Sequence, residues 1–271
     1  MIKQSKISRP LLRYHGGKWL LAPWIISHFP PHKIYVEPFG GAGSVLLRKD
    51  RSRCEVWNDL DDDVVNLFRV LRDKNTARQL CDLLEMTPFA RTEFEKAYEP
   101  SDDAIERARR LVVRSFMGFG SSAGTRRYRT GFRAASKNSG RPHALDWTNL
   151  PESVWLVTER LKGVTIEHRD ALEIIRQQDN LETLFYVDPP YVQTTRPNSS
   201  KRQYRFELGP QEHHALAKLL HNVKGKVLLS GYASELYDDK LYKNWRREER
   251  VSWANGQAGR VERLEVLWMN F

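Results

Sequence analysis

Cysteine and long apolar runs are scarce in this sequence of 271 residues. The two cysteines, Cys54 and Cys81, do not have the spacing of metal ligands, so neither a disulfide framework nor a zinc site is indicated. No apolar run approaches the roughly 18 residues that a membrane span needs. Residues 1–18 contain no apolar core of the signal-peptide type. We therefore expect a cytoplasmic protein that has no membrane partner and holds no metal.

Acidic residues are also fewer than basic ones. The chain has 34 Asp and Glu against 44 Lys and Arg, which gives a formal charge of +10. Such an excess indicates a polyanionic partner, with nucleic acid as the first candidate and an anionic membrane as the second. A hydrophobic content of 40% excludes wholesale disorder. The length suits one large domain or one domain that carries an insertion.

Hydrophobic patterning predicts strands that alternate with helices. Short β-rich apolar runs predict buried strands at 33–36 and 183–187, with weaker candidates at 54–57, 164–166 and 225–230. Helical patterns lie between them, at 61–74, 76–86, 91–98, 102–117, 151–162, 171–178 and 210–223. This alternation favours an α/β fold around a mostly parallel sheet.

The alternation is interrupted between residues 75 and 151, where no strand signal is convincing. This stretch is helical at first and then rich in Gly, Ser and Arg. Residues 101–143 hold ten Lys and Arg but three Asp and Glu, and residues 115–141 contain no acid at all. We interpret 75–151 as an inserted subdomain or a long functional loop.

A glycine-rich turn, within VEPFGGAGSVLL at residues 36–47, follows the first predicted strand, and we expect an apolar helix to start after it. The dinucleotide fingerprint G-x-G-x-x-G is incomplete, because Leu46 stands where the third glycine belongs. Glu37 would repel a pyrophosphate but suits a ligand that bears an ammonium group, such as S-adenosylmethionine. Asp59 has the spacing of an acid that binds ribose hydroxyls. Taken alone, the glycines also allow a plain tight turn.

The sequence Asp188-Pro189-Pro190-Tyr191 follows the second buried strand. The two prolines remove two amide donors and leave carbonyls as the exposed backbone groups. The carboxylate of Asp188 and the carbonyl of Pro189 can therefore both accept hydrogen bonds from one substrate –NH₂ group. Tyr191 offers an aromatic face for a planar base. A bare turn is the alternative, but the position after a buried strand favours a functional role.

In this order, the motifs resemble those of the Dam-like DNA N6-adenine methyltransferases, in particular those often carried by phages and prophages. The matching segments are RYHGGK (13–18), YVEPFGGAGSVLL (35–47), NDLDDDVVNLFRVLRD (58–73), SFMGFG (115–120), DPPY (188–191), LLSGYASELY (228–237) and EVLWMN (265–270). The resemblance implies a Rossmann-like class I methyltransferase domain at 1–74 and 152–271. It also implies a mainly helical target-recognition domain at 75–151, and the cytoplasm of a bacterium or a phage-infected cell as the location.

The resemblance further implies S-adenosylmethionine as the methyl donor, with no metal. The cofactor contacts that it implies are Tyr14, Lys18, Glu37, Phe39, Gly41, Gly43, Asp59, Asp170 and Asp188. The implied catalytic residues are Asp188, Pro189 and Tyr191. In this interpretation Asp188 accepts hydrogen bonds from the adenine amine and does not fully deprotonate it, and Tyr191 stacks on the flipped base. Tyr14 replaces the tryptophan that is frequent in the family, which preserves stacking.

The expected partner is double-stranded DNA, from which the target adenine must be rotated into the active site. The residues that we expect to bind DNA are Arg126, Arg127, Arg129, Arg133, Lys137, Arg141, Arg196, Lys201 and Arg202. The basic insertion does not itself specify a recognised base sequence, and an enzyme that acts on one adenine at a time can work as a monomer. An RNA or protein-amide N-methyltransferase and a DNA-binding relative without catalysis are the alternatives.

Overall fold

The computed structural model describes residues 7–120, 129–134, 142–196, 204–256 and 259–271. Seven strands and nine α-helices occur in these ranges, which confirms the predicted α/β class. Two compact units are present. The first comprises Met1–Trp19, Gly41–Arg48 and Asp61–Ile166, and the second comprises Leu20–Gly40, Lys49–Leu60 and Glu167–Phe271. None of the helices in the described ranges is long and apolar enough to cross a membrane.

The second unit is built on six strands of a sheet. They are β1 (Ile34–Glu37), β2 (Cys54–Asn58), β4 (Thr183–Val187), β5 (Lys226–Tyr232), β6 (Arg246–Gly256) and β7 (Gly259–Met269), while β3 (Val164–Glu167) lies where the chain passes from the first unit to the second. The six strands follow one another in the order β2-β1-β4-β5-β7-β6. The first four of these are parallel, and β7 is antiparallel to both β5 and β6.

Parallel pairing places the carboxyl ends of β1, β2 and β4 at one edge of the sheet. Ile34 of β1 is in register with Cys54 of β2 and with Thr183 of β4. Residues that directly follow these three strands therefore come together at this edge, which is where open α/β sheets bind ligands. Both the glycine-rich turn and the Asp-Pro-Pro-Tyr turn begin here.

Helices and an aromatic core cover the sheet of the second unit. The helical segments are α1 (Ala22–Ser27), α8 (Ala171–Gln177), α9 (Pro210–Leu220), a 3₁₀ turn (Gln193–Thr195) and a π-helical turn (Leu236–Leu241). Val36, Phe185 and Leu229 contribute fully buried side chains from three neighbouring strands, and Trp268 of β7 joins the same cluster. This continuous core fixes the strands from which the functional turns emerge.

The described part of the first unit is mainly helical. Its helices are α2 (Asp62–Arg72), α3 (Lys74–Met86), α4 (Arg91–Lys96), α5 (Ala104–Met117), α6 (His143–Thr148) and α7 (Leu150–Leu161). Asp61, Asp73 and Asp103 cap α2, α3 and α5 by accepting backbone N–H groups of the first turn, a contribution of about 1 kcal/mol each. Helix α2 packs against α5, and α3 packs against α7.

The predicted strands and the predicted long helices are present, but two features differ from expectation. The hairpin of β6 and β7 was not predicted, because β6 begins with the charged sequence RREER, which lacks a clear apolar alternation. Charged side chains are typical of an edge strand, where they discourage pairing with another chain. The structure thus adds two antiparallel strands to the parallel sheet that was predicted.

The apolar helix expected after the glycine-rich turn is also absent, since residues 44–48 form turns. The amide of Leu47 donates to the carbonyl of Gly43 at 2.9 Å, which is a single helical hydrogen bond. The next amide, that of Arg48, donates to the carbonyl of Val45 at 3.1 Å and not to that of Ser44, so the helical pattern stops. The carbonyl of Leu46, which would accept the Asp50 amide in a helix, accepts Nη2 of Arg160 at 2.7 Å. This side-chain donor takes the place of the backbone N–H that would have continued a helix.

Candidate active site

Three partly or fully buried carboxylates lie at the ligand edge of the second unit. The first is that of Glu37, at the end of β1. This side chain is 2% exposed and its Oε1 accepts the hydroxyl of Tyr35 at 2.5 Å. Burial and the neighbouring carboxylate raise the pKa of Tyr35 well above its ordinary value, so this hydroxyl remains a donor. The interaction holds the Glu37 carboxylate at the mouth of the glycine-rich turn.

The second carboxylate is that of Asp188, which directly follows β4. Its Oδ1 accepts the hydroxyl of Ser230, from the neighbouring strand β5, at 2.7 Å. The hydroxyl oxygens of Ser230 and Tyr186 are 3.2 Å apart. Burial and the Asp188 carboxylate raise the pKa of Tyr186 well above its ordinary value. A protonated Tyr186 can therefore donate to Ser230, whose own proton is then directed to Asp188.

The third carboxylate is that of Glu265 on β7, which is 7% exposed. Its Oε2 accepts the hydroxyl of Tyr191 at 2.9 Å. The ring of Tyr191 packs edge-on against Tyr232, with ring centroids 4.7 Å apart, and Tyr232 is the cross-strand partner of Glu265. Burial, Asp188 and Glu265 raise the pKa of Tyr191 well above its ordinary value. The last residue of the DPPY turn is thus fixed at both its ring and its hydroxyl.

These three carboxylates act on one small region, because all of them contribute to the raised pKa of the single hydroxyl of Tyr186. Each carboxylate is oriented by a hydroxyl donor from a strand or from the DPPY turn. A site with several carboxylates held in a partly desolvated place attracts cations and amine donors and repels phosphates. This electrostatic character agrees with a ligand that carries ammonium and sulfonium groups.

Asn58, at the end of β2, ties the neighbouring segments of this edge together. Its Nδ2 donates to the carbonyl of Pro38 at 2.8 Å and to that of Arg169 at 3.0 Å, and its Oδ1 accepts the amide of Arg169 at 2.9 Å. The side chain is fully buried. The sequence analysis did not select Asn58 as a site residue. The signal that could have identified it is its position at the end of an apolar strand, directly before Asp59.

The hydrogen bonds of Asn58 also determine where three of the predicted cofactor contacts lie. These contacts directly follow Pro38, Asn58 and Arg169 in the sequence, and they are Phe39, Asp59 and Asp170. Phe39 packs against the core of the second unit. Asp170 is the N-cap of α8, and its Oδ1 accepts the amides of Leu172 at 2.9 Å and Glu173 at 3.2 Å. The structure therefore brings these three residues to one edge, and their cofactor contacts stay predictions.

Gly40 is a further position that the sequence analysis did not select. A Cβ atom at this residue would lie 2.1 Å from Nε1 of Trp57, and the Gly40 amide donates to the carbonyl of Asn58 at 2.7 Å. Neither the buried ring nor the hydrogen-bonded backbone can move freely. Glycine is required here because the backbone passes directly over a tryptophan side chain.

The remaining predicted cofactor contacts, Tyr14, Lys18, Gly41 and Gly43, lie in the first unit. Gly41 and Gly43 adopt positive φ angles of 47° and 64°, which favour glycine. A Cβ at Gly41 would lie 3.1 Å from Cε1 of Tyr14, so the turn and this aromatic ring are in close contact. Lys18 is buried and its Nζ donates to the carbonyl of Gly16 at 2.7 Å.

Of the residues predicted to bind DNA, the structure describes Arg129, Arg133 and Arg196. Arg126, Arg127, Lys137, Arg141, Lys201 and Arg202 lie outside the described residues. Arg129 is exposed, with its guanidinium 5.4 Å from the ring centroid of Tyr98. The backbone around Arg133 is held to the end of α5, since its amide donates to the carbonyl of Met117 at 2.7 Å. The DNA contacts of these residues other than Arg196 stay predictions.

The placement of Arg196 differs from its predicted surface role. Arg196 is 8% exposed. Its guanidinium donates to the backbone carbonyl of Tyr191 and, at 2.8 Å, to the Glu207 carboxylate. Burial and pairing withdraw this side chain from any DNA surface in this structure. Arg196 instead supports the backbone of the DPPY turn, a role that its position in a basic loop did not reveal.

The positive charge of the insertion is also less available than its composition suggests. Four of its arginines form ion pairs within the first unit, namely Arg107, Arg109, Arg110 and Arg114. Asp63 pairs with two of them, at 3.1 and 3.2 Å, and Glu106 pairs with the other two, at 2.7 Å each. These arginines stabilise the helices, because they link α2 and α5 or lie within α5.

No three His, Cys, Asp or Glu side chains of the described residues lie close enough together to share a metal ion. Two of the three histidines on or beside α9 make local contacts instead. Nδ1 of His213 is 2.9 Å from the hydroxyl of Tyr237, and Nε2 of His221 is 2.6 Å from the carbonyl of Leu241.

The chain is similar to known proteins over nearly its whole length. The family described as D12 class N6 adenine-specific DNA methyltransferase matches residues 14–257. A DNA adenine methylase of Escherichia coli (strain K12) is 26% identical over 261 residues, which cover 91% of this chain and 87% of that protein. A DNA adenine methylase of Vibrio cholerae is 26% identical over 277 residues, covering 97% and 96%. The type II methyltransferase M.MjaIII of Methanocaldococcus jannaschii is 24% identical over 295 residues, covering 97% and 99%.

Proposed function

Because this chain belongs to the D12 class of N6 adenine-specific DNA methyltransferases, we propose that it transfers a methyl group from S-adenosylmethionine to N6 of an adenine rotated out of double-stranded DNA. The observation that carries the proposal is the oriented carboxylate of Asp188 at the start of the DPPY turn, with its Ser230 donor at 2.7 Å. The turn follows a buried parallel strand at the ligand edge of the sheet.

Asp188 and Pro189 act on the adenine amine in this proposal. A carboxylate offers about four acceptor positions, so Asp188 can accept an amine proton in addition to the Ser230 hydroxyl. The Pro189 carbonyl accepts the second amine proton. With both protons held, the nitrogen lone pair is localised on N6 and is withdrawn from conjugation with the ring. Tyr191, fixed by Glu265, presents its ring to the base.

S-Adenosylmethionine, when bound, supplies an electrophilic methyl group on a positively charged sulfur. The chemistry of the residues suits this group, because Glu37, Asp188 and Glu265 are carboxylates that are oriented by hydroxyl donors. We propose that Glu37 holds the ammonium end, Asp59 the ribose hydroxyls and Asp170 the region of the adenine. Tyr14, Lys18, Phe39, Gly41 and Gly43 complete the proposed set of cofactor contacts.

Arg129 and Arg133, together with the other predicted basic residues except Arg196, are proposed to hold the DNA. Arginine suits this task because its planar guanidinium binds phosphate or a guanine edge through two parallel hydrogen bonds. Backbone contacts of this kind offset the few kcal/mol that rotation of the base costs. The domain division predicted from the sequence, with target recognition at 75–151, assigns both residues to DNA recognition.

The test is transfer of a labelled methyl group to unmethylated duplex DNA, followed by nucleoside analysis. We expect N6-methyladenine as the product. Asp188→Asn should lower kcat by roughly 100-fold or more, because the amide donates where the carboxylate accepts. Its affinity for DNA should stay within a few-fold of the unchanged chain. Asp239→Asn, at an exposed position of the same unit, is the matched control.

Three results would contradict the proposal. Methyl groups found only on cytosine, on RNA or on protein would assign a different substrate. Full activity of Asp188→Asn would place the chemistry elsewhere. DNA binding without any methyl transfer, under conditions in which S-adenosylmethionine binds, would identify a DNA-binding relative that lacks catalysis.

A further inference from the structure

The first unit contains a cavity of about 750 Å³ that is open to solvent and is not part of the active site described above. Three arginines and three aromatic residues line much of it, namely Arg9, Arg13, Arg133, Phe89, Phe116 and Trp147. The arginines come from two segments that are far apart in the sequence, since Arg9 and Arg13 lie before and at the start of RYHGGK and Arg133 follows α5. The fold therefore gathers these cations at one place, which composition alone does not reveal.

Arg13 lines this cavity and carries one donor without a partner among the described residues. Its Nη1 atom is buried and has no hydrogen-bond partner within the described ranges. The backbone of Arg13 is fixed, since its amide donates to Oγ of Ser115 at 2.7 Å. A buried donor without a partner is costly, so a ligand whose acceptor draws Nη1 towards the cavity would remove that cost.

Arg133 is the second cation at the cavity without a close carboxylate. No Asp or Glu in the described part of the chain forms an ion pair with its guanidinium, although Asp146 attracts it from a greater distance. Burial outweighs this attraction and lowers the pKa of Arg133. A guanidinium that is partly desolvated in this way favours an anionic ligand.

Contacts within the first unit position Arg9 and the aromatic residues at the cavity wall. The Arg9 guanidinium lies 5.1 Å from the ring centroid of Phe116, and its Nη1 donates to the carbonyl of Asp146 at 2.7 Å. Nε1 of Trp147 donates to the carbonyl of Thr87 at 2.8 Å. Phe89 packs edge-on against Trp147 and remains partly exposed, so its ring can contact a planar or apolar group.

We propose that this cavity binds one phosphate-bearing nucleotide unit of the DNA, with the phosphate on Arg13 and Arg133 and the sugar or base against Phe89. A set of cations beside an aromatic wall is the arrangement that recognises a charged backbone and its bases together. The inference rests on the proposed function, since it takes the DNA substrate as the source of the nucleotide. It adds Arg13 and Phe89 to the residues that hold the DNA.

The test is the salt dependence of DNA binding by the full chain, measured by fluorescence anisotropy of a labelled duplex. Arg13→Met and Arg133→Met should each weaken binding about tenfold and make the negative slope of log K against log salt shallower by up to about one, because one of the two cations that neutralise the phosphate is lost. The loss of DNA affinity in the double variant should be smaller than the product of the two single-variant losses, since both side chains bind one phosphate. Arg78→Met, which removes an exposed arginine paired with Asp82 on α3, is the control for net charge.

Arg13→Lys distinguishes a lost contact from a lost fold, because it should keep the slope while weakening binding. Slopes of Arg13→Met and Arg133→Met equal to that of Arg78→Met would overturn the proposal. A free nucleotide is the other source of a phosphate, and calorimetric titration with thymidine 5′-monophosphate tests it. Micromolar binding of this nucleotide, together with unchanged DNA binding by the variants, would assign the cavity to a free nucleotide and overturn the proposal. Failure to methylate DNA would overturn the proposed function. The salt dependence of DNA binding tests only the proposed role of the cavity.

Discussion

The hydroxyl of Tyr191 donates to the Glu265 carboxylate at 2.9 Å, across 74 positions of sequence. This bond joins the DPPY turn to β7, which is one of the strands that the sequence analysis did not predict. It fixes the ring that is proposed to stack on the flipped adenine. Glu265 thus acts through Tyr191 as a positioning residue.

Glu265→Gln should lower kcat/KM for DNA methylation by roughly 10- to 100-fold, because a hydrogen bond to a charged acceptor contributes about 1.5–3 kcal/mol. Tyr191→Phe should have a similar effect, and the double variant should be no worse than either single variant. Steady-state kinetics and the fluorescence of 2-aminopurine at the target position measure the effect. Glu262→Gln, exposed on the same strand, should change neither quantity. Additive losses in the double variant would mean that the two residues act independently.

Ser230→Ala should lower kcat about tenfold and leave the affinities for DNA and S-adenosylmethionine within threefold. The Ser230 hydroxyl orients Asp188 at 2.7 Å, and its loss frees the carboxylate to rotate. Tyr186→Phe should have a smaller effect on kcat, since the Tyr186 hydroxyl contacts Ser230 and reaches Asp188 only through it. Single-turnover kinetics check this order, with Ser252→Ala on β6 as the control. A Tyr186→Phe variant slower than Ser230→Ala would contradict it.

Gly40→Ala should destabilise the chain by about 1–3 kcal/mol, because its methyl group would lie 2.1 Å from Nε1 of Trp57. Binding of S-adenosylmethionine should weaken as well, since the glycine-rich turn must move. Thermal unfolding and calorimetric titration measure the two effects. Gly131→Ala is the matched control, because nothing lies within 4 Å of a Cβ at that position. Equal melting temperatures for the two variants would show that the ring can yield.

His213 should make the stability of the chain dependent on pH. Burial lowers its pKa from 6.5 to about 4 in the folded state. The unfolded chain therefore takes up a proton at a higher pH than the folded chain does. The stability contributed by the neutral ring is complete above pH 6.5 and is lost as the pH falls towards 4, by up to about 3 kcal/mol.

Denaturant unfolding between pH 7.5 and 4 measures this loss. His213→Gln should be less stable at pH 7.5 but should show a flatter pH dependence, because its side chain does not titrate. His214→Gln changes the exposed neighbouring histidine and should keep the slope of the unchanged chain. A slope that is the same in all three proteins would show that other groups cause the pH dependence.

The parallel strands and the long helices could be predicted because their signals are local. The run TLFYV at Thr183–Val187 is mostly apolar, rich in β-forming residues and followed by prolines, and Asp61, Asp73 and Asp103 mark helix starts. The charged start of β6 carries no such signal. Its strand conformation arises from pairing with β7, which is a tertiary effect.

The sequence by itself determined the fold class, the order of the motifs and the residues that follow the strands at the ligand edge. Only the tertiary structure decided which partners these residues have: Ser230 for Asp188, Glu265 for Tyr191, and Glu207 rather than DNA for Arg196. The physical reason is range. Periodicity, capping and turn chemistry act within a few residues, whereas a hydrogen bond or an ion pair between distant side chains exists only after packing has brought them together.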